Sequence, residues 1–237
     1  LLIANLANKH NTIGQCLVNY CVNDILVIGA KPLFFLDYFA AGTLCNDILE
    51  SVIEGFSKAC RENSCVLIGG ETAEMPGFYD AKKYDVSGTI VGIVNKEDMI
   101  PNRNTKEGNV LIGLKSNGLH TNGYSLARKV LFDKFRIGEH IDSINSTIED
   151  ELLKVHKSYL PVLDEILNKP WLKSLSHITG GGIIENTERV IDSSLTLSID
   201  WNSWEWPEIF KLISKAGDID KSEMIRAFNL GIGLILI

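Results

Sequence analysis

The sequence predicts an α/β (α+β) protein of two subdomains. Three observations carry that expectation. Helix-period and strand-period segments intermix irregularly along 237 residues. A polar break at 95–109, holding Pro101, Asn102, Asn104 and Gly108, separates two such sets. No internal repeat or low-complexity tract offers another architecture.

The elements follow in order. Residues 15–28 place Leu17, Val18, Cys21, Val22, Ile25 and Leu26 on one helical stripe, stopped by Gly29 and Pro32. Residues 33–40 read as an aromatic strand with little polar face, so both its faces should be covered. A helix is expected over 47–62, with Asn46 as its N-cap and Asn63 as its stop. Residues 65–68 read as a short buried strand that enters a Gly69-Gly70 turn. Residues 84–94 alternate, with Val86, Gly88, Ile90, Gly92 and Val94 on one face. Beyond the break come a strand at 110–114, a helix near 124–134 and a long helix over 149–168. A glycine turn at 180–182 leads a helix to about 191, then a strand at 195–199. Helices near 207–216 and 220–228 precede a final apolar strand. Both chain ends look cut through structure, so a longer parent polypeptide is expected.

Composition narrows the function. Hydrophobic residues make up 45% and the formal net charge is −7, which argues against a basic nucleic-acid or anionic-membrane surface. Five cysteines with no C-x-x-C pair suit reduced thiols in a cytoplasmic protein. No apolar run is long enough to span a bilayer, and no signal peptide is read. Trp201, Trp204 and Trp206 read as packing, since the basic footprint that base stacking needs is missing.

Four segments could carry chemistry. Asn23 and Asp24 interrupt an apolar helix, where an unpaired carboxylate is costly to bury. They read either as a solvated or salt-bridged helix edge or as a carboxylate facing a metal–nucleotide site. Gly69-Gly70-Glu71 follows a strand, where glycine admits a close ligand and a carboxylate can hold Mg²⁺. An ordinary acidic loop is the other reading. The segment from Gly118 through His120, Thr121, Asn122 and Gly123 to Ser125 joins a strand to a helix, with small donors and free amides suited to an anion. The fourth, His177-Ile178-Thr179-Gly180-Gly181-Gly182, repeats that design. Neither matches a P-loop or the dinucleotide fingerprint.

Together these segments resemble the aminoimidazole ribonucleotide synthetases, the phosphoribosylformylglycinamidine cyclo-ligases of purine synthesis. Asp24-x4-Gly29-Ala30-x-Pro32 matches a family signature. Residues 69–77, 118–126, 177–182 and 228–233 are near-verbatim family segments, in order. The resemblance implies a 1–98 ATP-binding and dimerisation domain and a 106–237 α/β domain, with N-terminal sheets pairing across a homodimer. It implies an ATP-dependent C–N bond-forming ligase that uses Mg²⁺ and formylglycinamidine ribonucleotide. Fusion to other purine-pathway enzymes stays open.

The resemblance also bears on roles. Asp24 and Glu71 are expected to hold Mg²⁺–phosphates, with Asn23 orienting them. Gly70, Thr179, Gly180, Gly181 and Gly182 are expected at the ATP phosphates, and Thr121, Asn122, Gly123 and Ser125 at the substrate. His120, the obvious near-neutral titrating group in these loops, is the acid/base candidate. Three departures are noted. The family's Asp-Gly-Val-Gly-Thr-Lys segment is expected before Leu1, and a further helix–strand unit after Ile237. Val155-His156-Lys157 stands where members commonly carry Pro-Thr-Arg or Pro-His-Arg. The rival readings are a selenophosphate synthetase-like or thiamine-phosphate kinase-like enzyme, and a non-catalytic module of the same fold.

Overall fold

Helix α1 (Leu2–Ala7) is followed by α2 (Ile13–Leu26), whose Val18, Val22 and Leu26 face inward and are fully buried in the computed structural model. The structure describes residues 1–100 and 105–237. Pro101, Asn102 and Asn104 of the expected linker lie outside the described residues. Strand β1 (Lys31–Ala41) leads to α3 (Asn46–Glu62), then β2 (Val66–Glu74) and β3 (Tyr84–Ile93). The sheet order is β2-β1-β3, with β2 parallel and β3 antiparallel to β1. Cys45, not Asn46, occupies the N-cap of α3, so Asn46 is already helical.

α2 and α3 cover one face of this sheet. They cross where Gly14 faces the Val52 and Phe56 backbone and Gly55 faces the Asn11 and Gln15 backbone. A side chain at either glycine would push the helices apart. Phe35 and Phe39 sit beneath them, with Phe35 and Phe56 ring centroids 5.8 Å apart. Leu33, Leu36, Val66, Ile68 and Ile93 of the same sheet are exposed.

The expected short buried strand at 65–68 is instead a nine-residue strand, largely exposed, that runs through the two glycines. Gly69, at φ 129°, takes up a register shift opposite Phe35 and Leu36. The Gly-Gly turn is therefore a β-bulge.

The second half contains β4 (Ile112–Lys115), α4 (Tyr124–Phe132), a small hairpin of β5 (His140–Ile141) and β6 (Ser146–Thr147), α5 (Ile148–Leu152) and α6 (Leu160–Leu163). Then come β7 (Leu175–His177), α7 (Gly182–Glu188), α8 (Glu208–Gly217), α9 (Lys221–Ala227) and β8 (Ile232–Leu236). The sheet order is β4-β8-β7, antiparallel throughout, so the final strand is central. No strand forms at 195–199. Trp201 and Trp204 pack together, and the Trp204 indole donates to the Leu230 carbonyl, so these rings are packing as expected.

The long helix expected over 149–168 is broken. Residues 153–159 run without helix between α5 and α6. Side chains of α2 claim their backbone instead. Asn19 Nδ2 donates to the His156 carbonyl at 2.7 Å, and Asn23 Nδ2 to the Lys157 carbonyl at 2.9 Å. Asn23 Oδ1 accepts from the Tyr159 amide at 3.0 Å. Pro161 further disfavours continuation of the helix through this point. One apolar core then runs from α2, α3 and β1 across Tyr159, Leu160 and Leu163 to Leu175 and Leu234. A second gathers α4, α5, α8 and α9 around Phe210 and Phe228, and takes in Ile3 and Ala4 of α1.

Candidate functional site

Asn19, Tyr20, Asn23 and Asp24 lie at helical spacing on the second half of α2, so they share the side that meets the C-terminal half. Asn23 is fully buried and both ends of its amide are spent on the 157–159 backbone. It is a clamp, which corrects its expected place beside phosphates. Asp24 is half exposed, and its Oδ1 accepts from His177 Nδ1 at 2.7 Å. The carboxylate is thus paired at the helix edge and still open on its other oxygen.

His177 closes β7 and opens the turn to α7. Its Nε2 meets His156 Nε2 at 3.2 Å, and His156 Nδ1 meets Thr121 Oγ1 at 3.2 Å. His120 stacks on His156 with centroids 4.2 Å apart, and Tyr20 sets its ring edge against both His156 and His177. Three imidazoles from three segments therefore meet beneath Asp24. Sequence reading missed His156 and Tyr20 as site residues and gave His177, which opens its fourth segment, no role. The signal was present in the Asn19/Asn23 pair, two amides one turn apart in an apolar helix, which need buried polar partners.

His120 is 3% exposed, and burial, with His177 and Lys157 nearby, pushes its imidazole down to about 3. This corrects the near-neutral titration expected of it. Its Nε2 lies 2.6 Å from Asn117 Oδ1 and also faces the Asn117 and Lys157 backbone amides at 3.3 and 3.4 Å. Its Nδ1 is buried with no partner among the described residues. Gly233 makes the room: a Cβ there would strike the Tyr159 hydroxyl and His120 Nδ1.

The 118–125 loop is a tight left-handed turn. His120, Thr121 and Gly123 have φ of 51°, 62° and 76°, and Gly123 packs against the Phe228 ring. The Thr121 hydroxyl donates to the His120 carbonyl at 2.7 Å, and Asn122 Nδ2 to the same carbonyl at 2.8 Å. Ser125 is exposed in the first turn of α4 with no side-chain partner among the described residues. Asn122 Oδ1 lies against Gly180, so this loop and the glycine turn are neighbours.

In the glycine turn, Asn186 Nδ2 donates to the Gly180 and Gly182 carbonyls, and the Thr179 hydroxyl donates to Asn186 Oδ1. The Gly182 amide bonds the Thr179 carbonyl. The Gly180 and Gly181 amides have no acceptor among the described residues. Glu185, paired with Arg189, sits over Gly181.

Glu71 and Gly70 lie on β2 of the N-terminal sheet. Glu71 lies on β2 opposite Tyr38, and no hydrogen bond or ion pair joins it to Asp24 among the described residues. Gly70 is packed onto the Asp37 backbone, so its missing side chain serves strand pairing.

Two family models cover the chain. The N-terminal domain of AIR synthase related proteins matches residues 1–94, and the C-terminal domain matches residues 106–237. The chain belongs to the AIR synthase-related family. Among curated relatives, the phosphoribosylformylglycinamidine cyclo-ligase of Thermoanaerobacter pseudethanolicus is 48% identical, across all of this chain and 71% of its own length. That of Pseudothermotoga lettingae is 44% identical, across all of this chain and 70% of its own. Among solved structures, AaThiL complexed with AMPPCP and TMP has a TM-score of 0.62 at 15% identity, over 95% of this chain and 68% of that one. E. coli HypE, a hydrogenase maturation protein, has a TM-score of 0.61 at 17% identity, over 94% of this chain and 64% of that one. These two show the shared fold.

Within this AIR synthase-related chain, no three His, Cys, Asp or Glu side chains converge as a metal-binding group among the described residues. No all-protein metal cage is built there. A single half-exposed carboxylate with one oxygen uncommitted does fit Mg²⁺, which keeps waters and takes its other ligands from phosphates. No helix among the described residues is long and apolar enough to cross a membrane.

Proposed function

We infer that the chain performs the ATP-dependent ring closure of formylglycinamidine ribonucleotide to aminoimidazole ribonucleotide in purine biosynthesis. Its 48% identity to a cyclo-ligase, sustained over the whole chain, carries this reading. The ThiL and HypE likenesses lie at 15% and 17% and support only the fold.

The chemistry turns an amide oxygen into a leaving group. The γ-phosphoryl of ATP passes to the formyl oxygen and ADP leaves. The amidine nitrogen then attacks that carbon, its C–N bond forms, the C–O bond breaks and phosphate departs with the nitrogen's proton lost to a base. Positioning and charge neutralisation supply most of the rate.

In this reading Asp24 and Glu71 face the nucleotide phosphates, and bound Mg²⁺ would neutralise their charge. The free Gly180 and Gly181 amides donate to phosphate, beside Thr179 and Gly182. Thr121, Asn122, Gly123 and Ser125 hold the ribonucleotide. Asn122 against Gly180 supports placing the two ligands side by side. His120, held neutral by burial and with its Nδ1 buried and without a partner among the described residues, positions the loop rather than acting as an acid or base. The division into domains at 1–98 and 106–237, the homodimer through the β2-β1-β3 sheet and a cytoplasmic location belong to the same proposal.

Turnover tests it. With ATP and formylglycinamidine ribonucleotide, one ADP and one phosphate should appear per aminoimidazole ribonucleotide. Phosphorylation of thiamine monophosphate without ring closure would replace the reading with the kinase one.

A further inference from the structure

A cavity of about 310 Å³ opens beside the 118–125 loop, between α1, the start of α2, α4 and α5. Leu152 and Leu153 wall it, and Thr12, Cys16, Thr121 and Arg128 line it with them. Among the described residues no carboxylate faces it, and burial pushes the Cys16 thiol up, so the thiol stays uncharged. Arg128 is half-buried. Its Nε donates to the Tyr124 carbonyl at 3.3 Å, and its two terminal nitrogens have no partner among the described residues. A guanidinium against leucine loses water and gains nothing in return until an anion enters. Its planar fork matches two phosphate oxygens, and an apolar wall strengthens that pairing.

Thr12 adds an unspent group, since its Oγ1 is buried with no partner among the described residues. Thr12 is also the N-cap of α2, makes no capping bond and has no acid in the turn that follows it. The positive end of a 14-residue helix thus stands at the cavity without a compensating charge.

The place suits one end of the ribonucleotide and not ATP. Thr12 and Asp24 bound most of α2, about 18 Å apart along its axis, so an anion here is separate from phosphates held at Asp24. Thr121 lines the cavity and also meets His156, whose ring reaches His177 and through it Asp24. The candidate substrate loop therefore joins the cavity to the Asp24 site. Thr121, Asn122, Gly123 and Ser125 carry no charge to balance a phosphate. Arg128, one turn beyond Ser125 on α4, supplies it.

We propose that this cavity receives the 5′-phosphate of the ribonucleotide, with Arg128 as the residue that pairs with its charge and Thr12 as a neutral donor. The ribose then lies along the 118–125 loop, with the formyl end toward Asp24. The proposal rests on the functional reading for the ligand's identity, formylglycinamidine ribonucleotide.

Steady-state kinetics on the full polypeptide test it, with the ribonucleotide and its dephosphorylated riboside as paired substrates. In the wild type, removing the phosphate should cost about 10²-fold in kcat/KM. Arg128→Gln should raise KM for the ribonucleotide by a similar factor, with kcat and the KM for ATP changed by less than about twofold. On the riboside Arg128→Gln should match the wild type, because the group that Arg128 binds is already gone. A merely structural role would impair both substrates alike, and that result overturns the inference. The wild type supplies a second readout that needs no variant to fold. With ¹⁵N-arginine label, the Arg128 Nε signal should move on adding ribonucleotide and stay in place on adding riboside. Bound ribonucleotide with an unmoved Arg128 signal overturns this inference alone. A wild type that neither binds nor turns over the ribonucleotide removes the functional reading, and this inference with it.

Discussion

His120 and His156 are held neutral by burial, with His120 down at about 3. Their unfolded value is about 6.5. The stability they contribute is therefore fully present above about pH 6.5 and declines as pH falls through that value toward the folded one. Each should add up to about 1.4 kcal/mol per pH unit to the loss across that window. Urea midpoints at pH 7 and pH 5 measure it, and His120→Asn should shrink the drop. Equal drops in wild type and variant would contradict the assignment. No limb of the kcat profile near neutrality should belong to His120. At the same scale, Asn122 sits between the 118–125 loop and Gly180. Asn122→Ala should raise KM for formylglycinamidine ribonucleotide about tenfold or more, with a smaller change for ATP. Steady-state kinetics with each substrate varied will show which KM moves, and a rise confined to ATP would move this loop to the nucleotide site.

Between elements, two amides on α2 set the course of 153–159. Asn23→Ala would leave the Lys157 carbonyl and the Tyr159 amide without their partner in a fully buried place. The expected loss is about 2–4 kcal/mol by urea denaturation, and a loss under about 0.5 kcal/mol would show that the clamp is not needed. This segment also marks where the sequence could be read and where it could not. The apolar stripe of α2 and the alternation of β3 were legible because each buries against its own near neighbours. The break in the expected 149–168 helix was not, because its cause lies more than a hundred residues away on α2. Gly69-Gly70 looked like a ligand turn, since glycine pairs suit turns and bulges alike. Only the register against β1 decides between them. The candidate loops at 118–125 and 177–182 were found as motifs. The histidine file joining them was not, because nothing local announces that His156 meets His177.

For the whole molecule, the sheet β2-β1-β3 is covered by helices on one face and exposes Leu33, Leu36, Val66, Ile68 and Ile93. An apolar sheet surface of this kind suits a second copy. The double variant Val66→Lys, Ile68→Lys should lower the mass seen by light scattering at micromolar concentration from dimer to monomer. A monomeric wild type would contradict the pairing.

The account rests on Asp24 standing where both halves of the chain meet the reacting ligands. The most direct measurement is the rate of aminoimidazole ribonucleotide formation by wild type and Asp24→Asn, side by side, at saturating Mg²⁺–ATP. The account predicts turnover in the wild type and a loss of about 10²-fold or more in kcat/KM for the variant, with an unchanged circular dichroism spectrum. Near wild-type turnover in a folded Asp24→Asn protein would contradict it.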